Sequence, residues 1–206
     1  MGVYSEYVLP RLLDLAMRNS EMARLRADWI SRAAGRVLEI GIGSGLNLPF
    51  YSREVDGVLG IDPSPGLQRI AQNRAAHAGF PVELITQSAE LPLPIADSSL
   101  DTVVVTWTLC SVGDPTPVLR NAARVLKPDG QLIFLEHGRA PEQRVAAWQD
   151  TITPYWKHVA GGCTLNRPMD QMIRLSGFHI QELSTGYMRG PRPLAFMYKG
   201  IANPVP

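Results

Sequence analysis

The stretch Arg36-Val37-Leu38-Glu39-Ile40-Gly41-Ile42-Gly43-Ser44-Gly45 determines the predicted fold of this chain more than any other. Its first five residues are rich in branched apolar side chains, which is typical of a buried β-strand. The glycines that follow allow the backbone to turn sharply and to approach a ligand, because they carry no Cβ atom. The pattern predicts a strand that leads into a glycine-rich loop, with a nucleoside cofactor bound against that loop.

The spacing of these glycines differs from the dinucleotide-binding fingerprint, which leaves two residues between its second and third glycines. Here Gly45 comes one residue early, and Leu46 occupies the fingerprint position. The carboxylate of Glu39, next to the loop, disfavours a pyrophosphate and suits a cationic group or hydroxyl groups. A nicotinamide-dependent oxidoreductase is therefore an alternative that these residues disfavour. A non-catalytic cofactor-binding module is a further alternative.

The composition is typical of one globular domain with a single core. The 206 residues are 45% hydrophobic and 19% charged, and the formal net charge of +1 disfavours nucleic acid as a partner. The two cysteines, Cys110 and Cys163, are too few for a disulfide framework, so we predict a reducing, cytoplasmic compartment. Residues 1–6 show no secretory signal, and no run approaches the roughly 20 apolar residues of a membrane span. We therefore expect no stable membrane insertion.

Strand and helix patterns alternate along the middle of the chain, which indicates an α/β fold with a doubly wound, mostly parallel sheet. We predict a Rossmann-like sheet of about seven strands, whose last two strands close it as an antiparallel pair. The predicted strands are 36–41, 58–62, 82–86, 100–106, 131–136, 178–183 and 194–200. The predicted helices are 46–51, 66–78, 115–126, 143–157 and 168–176, and residues 127–130 are predicted to form a turn.

An N-terminal segment of about residues 5–31 carries a broken apolar stripe at helical spacing. We predict one helix that forms a lid or flank on the core, and peripheral contact with a membrane surface is the alternative. The chain 1–206 is interpreted as a single domain. Its parts are the helical extension 1–33, a cofactor-binding core 34–137, and substrate-side helices and closing strands 138–206.

Polar residues stand at the carboxyl ends of the predicted parallel strands, where ligands bind in open sheets of this kind. Glu39 ends the first strand, and Asp62 ends the second, about twenty residues after the loop, where an acid can accept hydrogen bonds from ribose hydroxyls. The third strand is followed by Ser88, Ala89 and Glu90, the fourth ends at Thr106 and Trp107, and the fifth ends at Glu136 and His137. Five strand ends in order indicate a ligand site.

Three motifs in this region resemble those of class I S-adenosylmethionine-dependent methyltransferases. They are Leu38–Gly45, Gly60–Ser64 and Val125–Gly130, and they cover most of residues 34–137. The resemblance implies S-adenosylmethionine as cofactor, S-adenosylhomocysteine as product and a small molecule as substrate. It also implies the cofactor-binding residues, which are Glu39, Gly41, Gly43, Gly45, Asp62, Pro63, Ser64, Ser88, Ala89, Glu90, Thr106 and Trp107.

The resemblance also implies a role for each of these groups. The glycines would pass under the methionine and ribose of the cofactor, Asp62 would hold the ribose hydroxyls, and residues 63–64 and 88–90 would line the adenine. Thr106 and Trp107 would lie near the sulfonium and the substrate entrance. Glu39 would contact the amino end of the cofactor, directly or through water.

The second half of the chain resembles the small alkyl-thiol methyltransferases within that family. The matching segments are Leu109–Val112, Glu136-His137, Trp148-Gln149, Pro154–Trp156 and Gly161–Arg167. A thiol acceptor is therefore favoured, and a quinone, a phenol or a phospholipid amine is the alternative, because methyltransferases for those acceptors share the core motifs. The candidate substrate-binding residues are Trp107, Cys110, Trp148, Tyr155, Trp156, His158 and Arg167.

His137 is the candidate catalytic residue, a base at the end of the fifth strand; an ordinary hydrogen-bonded histidine of the core is the alternative. Arg167 is predicted to pair with a carboxylate of the protein or to anchor an anionic group of the substrate. Cys163 is interpreted as a packed small residue. No metal is predicted, because the four histidines, His77, His137, His158 and His179, are dispersed in the sequence.

Overall fold

The computed structural model describes residues 7–205, and its central feature is one sheet of seven strands. The strands are β1 Gly35–Ile40, β2 Val55–Ile61, β3 Val82–Ile85, β4 Leu100–Thr106, β5 Leu126–His137, β6 Phe178–Tyr187 and β7 Phe196–Pro204. They are arranged in the order β3-β2-β1-β4-β5-β7-β6. Strands β1 to β5 pair in parallel, and β7 runs antiparallel to both β5 and β6. The predicted Rossmann-like, mostly parallel sheet with an antiparallel closing pair is confirmed.

Helices cover both faces of the sheet, as the alternation of side chains along its strands requires. They are α1 Leu9–Ala16, α2 Ser20–Ile30, α3 Pro65–Ala75, α4 Pro115–Val125, α5 Gln143–Val159, α6 Met169–Leu175 and α7 Arg192–Ala195. Leu38 and Ile40 of β1 join a core cluster with α4 and α6, whereas Val37 joins a second cluster with Trp29 of α2. Each face of the sheet therefore buries its own apolar layer.

The N-terminal extension is helical, but it forms two helices where the sequence predicts one. The chain leaves the helical conformation between α1 and α2, and Asn19 caps the start of α2 by accepting a hydrogen bond from the Met22 amide (2.9 Å). Asparagine is among the most favoured residues at this position, because its side chain satisfies an amide that has no partner within the helix. Residues 5 and 6 of the predicted helix lie outside the described residues.

Three further predicted elements have a different form in the structure. The predicted turn at residues 127–130 lies within β5 as an irregularity, where the pairing with β4 passes from Leu126 to Gln131. The helix predicted at 46–51 is a short 3-10 helix, Leu48–Phe50. The one-turn helix α7 replaces the predicted start of the last strand, because Pro193 fixes a helical backbone angle and cannot donate to a sheet ladder.

The register of the parallel strands brings their carboxyl ends to one edge of the sheet. Ile40 at the end of β1 pairs with Ile61 of β2 and with Val105 of β4, and Thr106 pairs with Leu135 of β5. The strand order reverses between β1 and β4, because β2 lies on the far side of β1. Such a reversal leaves a crevice between the loops that leave the two strands, which is where ligands bind in this architecture.

Within residues 7–205, no helix combines the length and the apolar composition needed to cross a membrane.

Candidate active site

A cavity of about 710 Å³ opens at the carboxyl ends of β1, β2, β4 and β5. The structure places most of the predicted site residues on its wall. These are Glu39, Gly41, Gly43, Asp62, Pro63, Ser64, Ser88, Ala89, Glu90, Thr106, Trp107, Cys110, His137 and Trp156. A second cavity, of about 770 Å³, lies beside Arg53 and His77 and includes none of the strand-end residues predicted to form the site. We therefore assign the candidate active site to the cavity at the strand ends.

The glycine loop approaches the cavity with its backbone. Gly41 has a φ of +74°, and a Cβ atom at that position would lie 2.0 Å from Oγ1 of Thr108, so a larger residue does not fit. Gly43 also has a positive φ, but a Cβ atom there would meet nothing closer than 3.9 Å. The space above Gly43 is open, and a ligand can approach the backbone there.

Asp62 lies at the end of β2, at the edge of this space. One carboxylate oxygen accepts a hydrogen bond from the Gly43 amide (3.0 Å), and the other accepts one from the Ser64 amide (2.8 Å). Burial raises the pKa of the Asp62 carboxyl, and these two hydrogen bonds partly offset the increase. Since a carboxylate offers about four acceptor positions, two remain for the hydroxyl groups of a ligand.

Replacing Asp62 by alanine is expected to weaken the binding of S-adenosylhomocysteine by roughly 1–3 kcal/mol, because hydrogen bonds to the ribose hydroxyls are lost. Titration calorimetry measures the change in affinity. Asp56→Ala is a matched control, because Asp56 is exposed on the same strand. Unchanged affinity in the Asp62→Ala protein would contradict the assignment, and a thermal melt of both variants separates lost binding from lost folding.

Glu39 is buried, with 1% of its surface exposed, and it belongs to a hydrogen-bonded network beneath the loop. Its carboxylate accepts hydrogen bonds from Nδ2 of Asn47 (2.9 Å) and from the Tyr51 hydroxyl (2.8 Å). Arg26 donates to Oδ1 of Asn47 (3.0 Å) and brings a positive charge close to the carboxylate. Burial raises the pKa of Glu39 to about 7, against the lowering effect of these hydrogen bonds and of Arg26.

Helix α1 covers part of the cavity and is held there by ionic contacts. Asp14 accepts a hydrogen bond from the Ser44 hydroxyl of the glycine loop (2.6 Å) and forms an ion pair with Arg74 of α3 (2.8 Å). Burial alone would raise the pKa of Asp14, but the hydrogen bond from Ser44 and the charge of Arg74 lower it overall. Leu13 and Met17 of the same segment line the cavity. Helix α1 thus lies over the glycine loop, and we call it the lid.

Trp107 lies where β4 ends, with a φ of +49° that is unusual for a residue with a side chain. Its ring lies beneath the guanidinium of Arg26, 4.9 Å from ring centroid to Cζ. Within residues 7–205, the indole Nε1 is buried and has no hydrogen-bond partner. A buried donor without a partner is costly, and a ligand oxygen in the cavity would satisfy it.

Three side chains that are far apart in the sequence meet on the wall of the cavity. Cys110, His137 and Cys163 all lie on its wall, and Sγ of Cys163 is 3.7 Å from Nδ1 of His137. The interaction between the two neighbouring thiols lowers the pKa of Cys163 and raises that of Cys110. The sequence predicts no cluster of metal-ligand residues, and on this point the structure differs, because the topology brings the two cysteines to one histidine.

Glu136 and Arg167 fix the backbone around this end of the cavity. Glu136 is fully buried and accepts hydrogen bonds from the amides of Thr108, Leu109 and Cys110 (2.8, 2.9 and 3.1 Å). Arg167 donates to the carbonyl oxygens of Leu109, Val112 and Gly113. Burial raises the pKa of Glu136, against the lowering effect of the three amides.

The structure places five other predicted site residues away from the cavity wall. The side chains of Trp148 and Tyr155 are 62% and 77% exposed, and His158 is also exposed on α5. Arg167 holds backbone carbonyls, as described above, and Gly45 packs between Leu48 and Ala71. None of the five is among the residues that line the cavity.

The site contains functional groups that sequence reasoning missed. Arg26, Asn47 and Tyr51 complete the network of Glu39, and Asp14 holds the lid. Asn47 lies two residues after Gly45, so its nearness to the glycine loop could have been read from the sequence. The roles of Arg26 and Asp14 could not be read from the local sequence, because their partners are distant in the chain.

The cavity fits S-adenosylmethionine by its chemistry. Asp62 offers acceptors to ribose hydroxyls, the open space over Gly43 admits a ligand against the backbone, and the indole N–H of Trp107 offers an unused donor. A nucleoside with free ribose hydroxyls requires acceptors and space of this kind.

Comparisons with known proteins agree with this fit. The sequence profile of a family described as a methyltransferase domain matches residues 38–134. The thiol S-methyltransferase TMT1B of Homo sapiens is 37% identical, over 96% of this chain and 82% of the human protein. The TMT1B of Rattus norvegicus is 39% identical over 71% of this chain and 61% of the rat protein, so the chain matches less than two thirds of that relative.

The fold has solved counterparts. The crystal structure of an S-adenosylmethionine-dependent methyltransferase from Thermotoga maritima superposes with a TM-score of 0.68, at 24% identity, over 96% of this chain and 98% of that one. At this identity the likeness concerns the fold alone. The match to the human relative, over most of both chains, shows the family, and this chain belongs to the class I S-adenosylmethionine-dependent methyltransferases.

Proposed function

We propose that this protein transfers the methyl group of S-adenosylmethionine to a small apolar thiol. The observation that carries the proposal is that one cavity joins the cofactor-binding strand ends to an apolar compartment containing His137. Apolar side chains from α1, α2, α5 and the loop after β4 form that compartment. They include Leu13, Met17, Met22, Val112, Trp156 and Val159. The names of the human and rat relatives support a thiol as the acceptor.

The protein's own residues provide binding, orientation and exclusion of water. The bound cofactor supplies a methyl group on a sulfonium, which a nucleophile can attack without further activation of the donor. Asp62 and the glycine loop would hold the nucleoside at one end of the cavity, and Trp107 would separate it from the acceptor. Helix α1 would cover part of the bound ligands, and their relative orientation in the cavity would lower the barrier.

His137 is the residue that we propose to act on the acceptor. It ends β5 on the cavity wall, beside Cys163, and its imidazole can accept the proton of a nucleophile that enters from the apolar side. Cys110 and Trp156 would contact the acceptor, because both lie on the same part of the wall. The cytoplasmic compartment predicted from the cysteine content stays a prediction.

The experiment is a panel of methyl acceptors with isotopically labelled S-adenosylmethionine. The panel contains small alkyl thiols, a phenol, a quinol and a phospholipid amine. Transfer to alkyl thiols at the highest kcat/KM is the expected result. Preferred transfer to a quinol or an amine would overturn the thiol assignment, and cofactor binding without transfer to any class would overturn the proposed activity.

His137→Ala is expected to lower kcat with the best acceptor about 100-fold or more, because the group that receives the proton is lost. The affinity for S-adenosylhomocysteine should stay within about twofold of the original protein. His179→Ala, which removes an exposed histidine on β6, is the matched control. Equal kcat in the two variants would contradict the role of His137.

A further inference from the structure

Cys110, His137 and Cys163 form a compact group of metal-ligand atoms on the cavity wall. The two sulfur atoms and a ring nitrogen all lie within 4.8 Å of one another, and the Sγ of Cys163 is 3.7 Å from Nδ1 of His137. A tetrahedral zinc ion, with Zn–S bonds of about 2.3 Å and Zn–N bonds of about 2.0 Å, separates its ligand atoms by roughly 3.5–3.8 Å. Small movements of the three side chains would bring their ligand atoms to this spacing.

The backbone that carries the two cysteines is fixed by contacts outside the cluster. The amide and the hydroxyl of Thr164 both donate to the carbonyl of Cys110 (2.7 and 2.8 Å), which ties the two segments together. Gly162 has a φ of +90°, and a Cβ atom there would lie 2.6 Å from the carbonyl oxygen of Ser111. The close approach of Cys163 to Cys110 therefore depends on a glycine at position 162.

We propose that Cys110, His137 and Cys163 bind one Zn²⁺ ion, with the fourth coordination position open to the cavity. Two thiolates and an imidazole form a donor set that favours zinc over magnesium or calcium. Three protein ligands with an open fourth position are the arrangement of catalytic zinc sites. Both cysteines are buried, and all three residues line the cavity, so the open position faces the space that a small molecule would enter.

The occupant of the open position is the acceptor thiol, and this part of the inference rests on the proposed function. When a thiol binds the ion, its S–H bond breaks, an S–Zn bond forms and the proton passes to solvent. The bound sulfur is a thiolate, which is the reactive form of a thiol. In this arrangement His137 holds the ion, and solvent takes the proton that a metal-free imidazole would otherwise accept.

The experiment begins with the full-length chain, freed of metal by a chelator and kept reduced by a phosphine, since a thiol reductant would compete for the ion. Cobalt(II) titration is expected to give one ion per chain, with a thiolate-to-cobalt charge-transfer band and the visible bands of tetrahedral cobalt. Zinc should displace the cobalt and abolish these bands. A chain that develops no charge-transfer band would overturn the metal site.

Single replacements test the three ligands. Cys110→Ser, Cys163→Ser and His137→Gln are each expected to weaken zinc binding at least roughly 100-fold in competition with a chromophoric chelator. His179→Gln is the control for the loss of a histidine outside the site, and its zinc affinity should be unchanged. Zinc affinity that survives all three replacements would overturn the assignment of the ligands.

Addition of a small alkyl thiol to the cobalt-loaded protein, without S-adenosylmethionine, tests the open position. An intensified and shifted charge-transfer band is the expected result, because a third thiolate joins the cobalt. An unchanged cobalt spectrum would overturn the coordination of the acceptor. That failure is distinct from a failure of the proposed function, because methyl transfer to thiols is measured separately in the acceptor panel.

Discussion

Replacing Glu136 by alanine is expected to lower the free energy of unfolding by about 3–5 kcal/mol. The carboxylate is fully buried, and it is the acceptor for the amides of Thr108, Leu109 and Cys110. Each buried donor that loses its partner costs about 1–3 kcal/mol. The loss is large compared with the 5–15 kcal/mol that stabilise a typical domain, and denaturation by urea measures it.

Glu136→Gln keeps this prediction testable if the alanine variant does not fold. One carboxylate oxygen accepts from Thr108 and Leu109, and the other accepts from Cys110. A carboxamide can preserve the first two hydrogen bonds but sets an NH₂ group against the third amide. The loss should therefore be smaller than in the alanine variant.

Glu83→Ala is the control, because Glu83 is exposed on β3. We expect its effect to stay within about 0.5 kcal/mol. A loss of less than about 1 kcal/mol in Glu136→Ala would show that the loop after β4 is held by other contacts. Cofactor binding should weaken together with stability, because Trp107 and Thr108 of this loop form part of the cavity wall.

The strands and the glycine loop were predictable because their signals are local. The branched run before Gly41 and the acidic residue at the end of β2 each define position and chemistry within a few residues. Parallel pairing then brings the strand ends together without further information. For this reason the residues predicted for the cofactor lie mostly on one wall, with Gly45 as the exception.

The acceptor side could not be predicted as well, because it depends on contacts between distant segments. Trp148 and Tyr155 are seven residues apart and therefore share one side of α5, whereas Ala146, Gln149 and Thr153 form its buried side. Gln149 orients the helix by donating to the carbonyls of Gly138 and Pro193. These contacts cannot be predicted from the sequence around Gln149. The meeting of Cys110 with Cys163 likewise follows from tertiary structure alone.

The pH dependence of the free energy of unfolding is expected to reveal the raised pKa of Glu39. The ordinary pKa of a glutamate is 4.5, and burial raises the pKa of Glu39 to about 7. Between these two pH values the native protein keeps a proton on Glu39, while the unfolded chain releases it. The native state therefore binds more protons in this window. The contribution of Glu39 to the stability of the native state is full below pH 4.5 and is lost as the pH rises to about 7.

The size of the effect follows from the difference between the two pKa values, at about 1.4 kcal/mol for each pKa unit, and amounts to at most about 3.5 kcal/mol. Glu39→Gln should remove it, because an uncharged carboxamide resembles the protonated acid and can keep hydrogen bonds to Asn47 and Tyr51. The measurement is the free energy of unfolding in urea at a series of pH values from about 4.5 to 7.5.

The comparison between variants isolates Glu39 from the other buried carboxyls, Asp62 and Glu136, whose pKa values are also raised by burial. The contribution of Glu136 is common to the original protein and the Glu39→Gln variant and cancels in the difference, whereas Asp62 interacts with the charge of Glu39 and contributes through that pair. Glu54→Gln, at an exposed position, should retain the original pH dependence. If the Glu39→Gln variant also retains the original pH dependence, the Glu39 carboxyl of the original protein is ionised in the native state throughout this range. Arg26 and the hydrogen bonds from Asn47 and Tyr51 would then outweigh the cost of burying the charge.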